Sequence, residues 1–206
     1  MAGGEGSPQT LEELNSALAA GQRQFPGLRL RDLDGVDLDL SNCDLRGSCF
    51  KEARFGRARF HGALLEGCRF QQALLWGADL SGAQAPRSFW HEADLSGSRL
   101  QGIDFNEAVL HRCCLRGVLA AGSRWHQARL VEADFRSGLD QLTDLGGADF
   151  QGADLRGACL YGADLRQADL QQADLRGCDL RDSSMEGTRL EGAQLEGALS
   201  RRDSCS

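Results

Sequence analysis

His91 and His111 stand twenty residues apart. Imidazole is the commonest protein metal ligand near neutral pH, so a His91/His111 pair is the first chemistry to weigh. No third ligand is evident beside them. Eight cysteines offer a second possibility, but none falls in the Cys-x-x-Cys spacing of a zinc site. Ser, His and Asp form no recognisable nucleophile constellation, and no Gly-rich phosphate loop lies between a strand and a helix. The sequence thus offers no catalytic set, no cofactor site and no metal site, and the chain is read as a non-enzyme.

What positions these residues is a repeat. "ADLRGACLYGADLRQADLQQADLRGCDL" runs from Ala153 to Leu180 with a leucine at nearly every fifth position. Of the 32 positions divisible by five from Leu40 to Leu195, 29 carry Leu, Phe, Trp or Met; Ala85, Ala120 and Asp140 are the exceptions. Two residues earlier, 29 of 32 carry Ala, Ser, Cys, Gly or Thr, the exceptions being Leu38, Ile103 and Val118. No insertion breaks this phase. Upstream, Leu28, Leu33 and Leu38 stand two residues out of it, which predicts a slip near Leu38–Leu40.

Five is neither the helix nor the strand period. On a helix, five steps leave successive leucines about 140° apart, smearing them round the surface. In a strand, alternate repeats would face opposite sides. A chain that turns a corner at each repeat keeps every fifth side chain inward. The residue two places earlier then also points in and must be small. Asp before the leucine and Gly two after it suit tight turns.

"ADLRGACLYGADLRQADLQQADL" resembles the pentapeptide-repeat proteins, whose consensus is A(D/N)LXX. The resemblance covers roughly Leu28–Leu199. It implies an all-β, right-handed quadrilateral β-helix with four repeats per coil, hence about eight regular coils over residues 40–199 and a rod about 38 Å long. Such a coil cannot bury its apolar face alone and is stabilised by its neighbours. "TLEELNSALAAGQ" supplies an N-terminal cover. Thr10 is an N-cap and Glu13 completes a capping box. Leu11, Leu14 and Leu18 share a face, Gly21 suits a C-cap, and Phe25 is a further plug. The expected division is a disordered 1–9, a capping helix and lead-in at 10–27, the β-helix at 28–199, and a polar tail at 200–206. The lead-in itself is similar to the helix-capped N-terminus of many cyanobacterial members.

The net charge is −7. No signal-like or membrane-spanning apolar run is present. Cys43, Cys68, Cys113 and Cys178 take the inward small position, while Cys49, Cys114 and Cys159 point outward on different faces or distant coils. Free thiols and a cytoplasmic location follow.

Residues 46–72 hold six Lys/Arg against two Glu, and residues 140–199 hold twelve Asp/Glu against five Arg. Some pentapeptide-repeat proteins resemble B-form DNA in width and charge and bind type II topoisomerases, so DNA mimicry of the quinolone-resistance type is the alternative reading. Against it, Arg116, Arg136, Arg156 and Arg176 recur every twenty residues and should stack, with Asp134, Asp154 and Asp174 two residues before three of them, as a neutralised ladder. Those members also dimerise through an apolar C-terminal helix, where this chain has "SRRDSCS". A homodimer through the C-terminal end stays open. Direct nucleic-acid and membrane partners are not expected.

In the middle of the rod, Trp90 follows Ala85 and Trp125 follows Ala120, which suggests volume compensation. Leu139, Leu142 and Leu145 predict a short helical turn or loop that turns Asp140 out. Twenty-residue stacking puts Phe89 beside Val109 and His91 beside His111 and Val131. Phe89, His91, Val109, His111 and Val131 form the candidate site: an exposed strip that reads as a protein-docking surface, weighed against ordinary scattered surface hydrophobes. The favoured function is a non-catalytic protein-binding scaffold or regulator.

Overall fold

The computed structural model describes residues 7–30, 33–137 and 141–200. One helix, α1 (Leu11–Ala19), precedes the repeats. The Thr10 side chain accepts the Glu13 N–H at 3.2 Å, while the Glu13 carboxylate reaches back to the Gln9 N–H at 2.7 Å. The box therefore closes one residue earlier than the usual reciprocal pair. Leu14 and Phe25 are fully buried, so the helix does cover the first coil.

Each repeat behaves as its composition requires. The central residue and the small residue two before it point inward, and the residue between them points out. Backbone hydrogen bonds close most corners, from the small-position residue to the central residue three before it; the Cys43 N–H, for example, donates to the Leu40 carbonyl at 3.2 Å. Among the described residues, the residue two after a central position has a positive φ everywhere but at Ser137 and Leu142, as at Asn42 (57°) and Arg57 (56°), so the corner resembles a type II turn. Four corners close one coil, and the coils stack into a right-handed quadrilateral β-helix.

Four columns of parallel bridges make the walls. The first face runs Gln24, Asp44, Leu64, Gln84, Asp104, Arg124, Asp149, Asp169, Arg189. The second runs Arg29, Cys49, Arg69, Phe89, Val109, Arg129, Asp154, Asp174, Gln194. The third contains Leu74, Cys114, Asp134 and Cys159, and the fourth Asp79, Leu119, Asp144 and Asp164.

The expected slip near Leu38–Leu40 does not occur. Bridges run at an unbroken twenty residues from the Gln24–Asp44 pair to the Cys114–Asp134 pair. Leu28 and Leu33 occupy the inward small slots of the same phase, and both are buried. The central slot between Leu33 and Leu38 holds Gly35, and the Phe55 ring fills the room: a Cβ on Gly35 would lie 2.7 Å from it. Large and small have exchanged places, which imitates a phase shift in the sequence.

Among the described residues the walls contain one discontinuity. Leu119 bridges Asp144 and Asp134 bridges Cys159, each at twenty-five residues. One coil therefore carries an extra five residues, which the sequence phase cannot reveal. The chain leaves the wall at Ser137 and re-enters at Thr143. The Ser137 hydroxyl donates to the Gly162 carbonyl at 2.7 Å and accepts the Thr143 N–H at 3.1 Å. The Thr143 hydroxyl accepts the Gly117 N–H at 2.9 Å and donates to the Arg136 carbonyl at 3.1 Å. It is thus inserted into a wall hydrogen bond. Leu142 is 67% exposed and Leu145 is buried, so these two do not share a helical face. Leu139 and Asp140 lie outside the described residues.

Volume compensation takes a specific form. Ala85, Ser88 and Trp90 are all buried, as are Ala120, Ser123 and Trp125. Each indole N–H donates to the serine two residues earlier, at 2.6 Å for Trp90 and 2.5 Å for Trp125. Each serine hydroxyl passes the bond on to the carbonyl of the preceding alanine. The pattern Ala-x-x-Ser-x-Trp makes room for an indole and satisfies its only donor. Trp90 stacks on Phe70 at 4.1 Å, and Trp125 on Phe150 at 5.5 Å.

Candidate partner-binding face

The five strip residues lie together, on the second face and the turn that follows it. Phe89 bridges Val109 directly, and Phe89 is 40% exposed. The Glu92 N–H donates to the His111 carbonyl on the next coil at 3.0 Å, and the Arg112 N–H donates to the Val131 carbonyl at 3.0 Å. The turn row thus runs His91, His111, Val131. The two imidazoles meet edge to face, with centroids 6.5 Å apart. With Arg112 and Glu132 they line a shallow depression.

Burial pushes the His111 imidazole below its usual range, and the nearby Arg129 guanidinium acts in the same direction. His91 has Glu92 at 3.5 Å. Among the described residues no group of three or more His, Cys, Asp or Glu is placed to hold a metal ion. What the face offers is an apolar centre on a wall whose backbone is already hydrogen-bonded between coils.

The arginine ladder is corrected by the five-residue insertion. Arg116 and Arg136 share a column, which continues to Tyr161 because the Ser137 N–H donates to the Tyr161 carbonyl. Arg156 stands instead in the row of His111 and Val131, since the Glu132 N–H donates to the Arg156 carbonyl, and Arg176 follows it. Neutralisation survives, because it is set inside each repeat. In Asp134–Arg136, Asp154–Arg156, Asp164–Arg166, Asp174–Arg176 and Asp179–Arg181, the guanidinium grips the carboxylate two residues before it through Nε and Nη2. Asp44–Arg46 is the same clamp near the other end. In the Asp154, Asp164, Asp174 and Asp179 clamps, the arginine hydrogen bond holds the carboxyl below its ordinary range. At Asp134 burial opposes this, but Arg136 and Arg116 together prevail.

The inward cysteines Cys43, Cys68, Cys113 and Cys178 are unpaired and buried, and Cys49 is buried as well. Leu74 and Trp76 form a second exposed apolar patch that the sequence reading missed. The run "LLW" was its signal, since only the middle residue of Leu74-Leu75-Trp76 can face inward. Trp76 folds down on Gly56, where a Cβ would lie 2.4 Å from the ring, and Arg57 sits 5.1 Å above the indole. At the other end of the rod, Met185 and Leu190 are half-buried and Leu195 is 43% exposed, because no further described coil covers them.

Fold and face together define a repeat solenoid: a four-sided β-helical rod whose side chains either fill the core or decorate flat walls. The pentapeptide-repeat family model matches in eight copies, over residues 39–77, 63–89, 77–112, 91–119, 142–172 and 163–199. The chain belongs to the pentapeptide-repeat family.

Among solved structures it is similar to HetL from the cyanobacterium Nostoc sp. strain PCC 7120, a pentapeptide repeat protein involved in heterocyst differentiation regulation. Identity is 27%, coverage 94% of this chain and 98% of that one, and the TM-score 0.48. Trypsin-treated QnrB1, a plasmid-mediated fluoroquinolone resistance protein, matches at 20% identity over 90% of each chain, with a TM-score of 0.37. The pentapeptide repeat protein Rfr23 from the cyanobacterium Cyanothece 51142 matches at 20% over 92% and 99%, with a TM-score of 0.32. No curated protein sequence matches. No helix among the described residues is long and apolar enough to cross a membrane.

Proposed function

We propose that this protein is a non-catalytic scaffold that binds a protein partner on the second face, through Phe89, His91, Val109, His111 and Val131. The observation that carries the reading is the direct bridge between Phe89 and Val109 on an outer wall, with Phe89 left 40% exposed. A rigid wall presents these side chains without an ordering cost on binding, and the charged residues beside them make the rim usual for an interface. The buried, unpaired cysteines support a cytoplasmic location.

Photo-crosslinking in the native cell tests the reading. A benzophenone side chain at position 89 or 109 should give a discrete adduct. The same group at Gln101, beyond the fourth face, should not. Equal adducts from both positions, or none from position 89 or 109, would remove the second face as the docking surface. DNA mimicry needs carboxylates free to imitate phosphates, and the Asp–Arg clamps count against it. Inhibition of gyrase supercoiling by the purified protein would favour it instead.

A further inference from the structure

Arg69, Phe89, Val109 and Arg129 are consecutive rungs of one column. Both arginines are exposed, and neither enters an ion pair among the described residues. The carboxylates at the flanking corners are otherwise engaged: Glu66 with Arg87, and Glu92 and Glu132 with Arg112. Glu107 lies toward Arg87. On this acidic protein, then, one column presents a cation, two apolar side chains and a second cation. Lys51, in the turn row beside it, also makes no ion pair among the described residues.

Resting on the docking reading above, we infer that the occupant of this face is an extended acidic peptide segment of the partner, with an apolar residue set between two carboxylates. Three rungs separate Arg69 from Arg129, about 14 Å. Four residues of extended chain span about 13 Å and turn residues one, three and five to the same side. A segment Asp-x-Leu-x-Asp running along the rod therefore places a carboxylate at each arginine and its leucine over Phe89 and Val109. Guanidinium suits carboxylate through paired N–H donors. A long polyanion fits less well. The two central rungs are apolar, and beyond Arg129 the column continues to Asp154 and Asp174, each clamped by the arginine two residues on, so among the described residues that end of the column offers no further free cation to a phosphate chain.

The test is fluorescence anisotropy of the full chain with a labelled Gly-Asp-Ser-Leu-Ser-Asp-Gly peptide. Its twin with Asn for both Asp and a labelled oligothymidylate serve as the other arms. The acidic peptide should bind. Its affinity should fall about tenfold or more in an Arg69→Ser/Arg129→Ser variant, with the charge pairs lost, and it should weaken as salt shortens the screening length. The exposed positions should leave the melting temperature unchanged. Equal binding of the Asn twin would overturn the acidic assignment while leaving the apolar surface standing. Preference for oligothymidylate would overturn it in favour of single-stranded nucleic acid. No binding of any probe would overturn it outright, whereas the docking reading falls only if the position-89 and position-109 crosslinks also fail.

Discussion

Leu119 pairs across the wall with Asp144, twenty-five residues on, although Arg99 pairs with Leu119 at twenty. The extra pentapeptide is spliced in by two hydroxyls, Ser137 at the exit and Thr143 at the re-entry.

Deleting residues 138–142 should therefore leave a folded rod. It joins Ser137 to Thr143 and keeps Phe135, Thr143 and Leu145 in their inward phase, while a shorter loop has slightly less closure entropy to overcome. The melting temperature should hold or rise. A fall of more than about 4 °C, roughly 1 kcal/mol in a chain of this size, would show that the excursion itself supports the wall.

Ser88→Ala should destabilise the protein by about 1–3 kcal/mol, since it strands the buried Trp90 N–H without an acceptor. The same substitution in a Trp90→Phe background should cost much less. A double-mutant cycle in urea gives the comparison. Equal costs in both backgrounds would mean that Ser88 acts through packing alone.

The clamps predict an acid limit. Asp39 is held at about 2 by hydrogen bonds from Arg59 and Ser41, and the clamped Asp residues are also depressed. Their folded values lie below the unfolded one of about 3.9. The stability they contribute is complete above that value and is lost as pH falls through the folded values. Thermal melts should be insensitive to these groups from neutral pH down to about 5 and should drop below about 4. Arg156→Gln/Arg176→Gln should flatten that acid limb. Because these pairs are exposed, the effect at neutral pH should be small.

The inward thiols should be inert in the native state. Burial pushes Cys43 up to about 11 and Cys68 and Cys178 up to about 12, and it raises Cys113 further. Iodoacetamide at pH 8 should spare all four until the protein is denatured, after which all four should react. Peptide mapping of the alkylated sites decides this, and native labelling of Cys113 would contradict its place in the core.

Burial was legible in the sequence. A turn at every fifth residue is closed by local hydrogen bonds, so the inward positions are set repeat by repeat. Leu155, Leu160 and Leu165 could be placed without knowing what lay above or below them. Even there, the exchange of Gly35 for leucine-filled small slots looked like a slip, because its compensation comes from Phe55, one coil away. The stacking of Phe89 on Val109 and of His91 on His111 was also legible, since twenty residues separate each pair on the near side of the insertion. Which residues share a column beyond Ser137 was decided only by the tertiary structure. An insertion of five leaves the local phase untouched but rotates all that follows by one face. Arg156 thereby leaves the column of Arg136 and joins the row of His111 and Val131. The phase of a repeat is a property of its own turn, whereas a column exists only through bonds to the coils on either side.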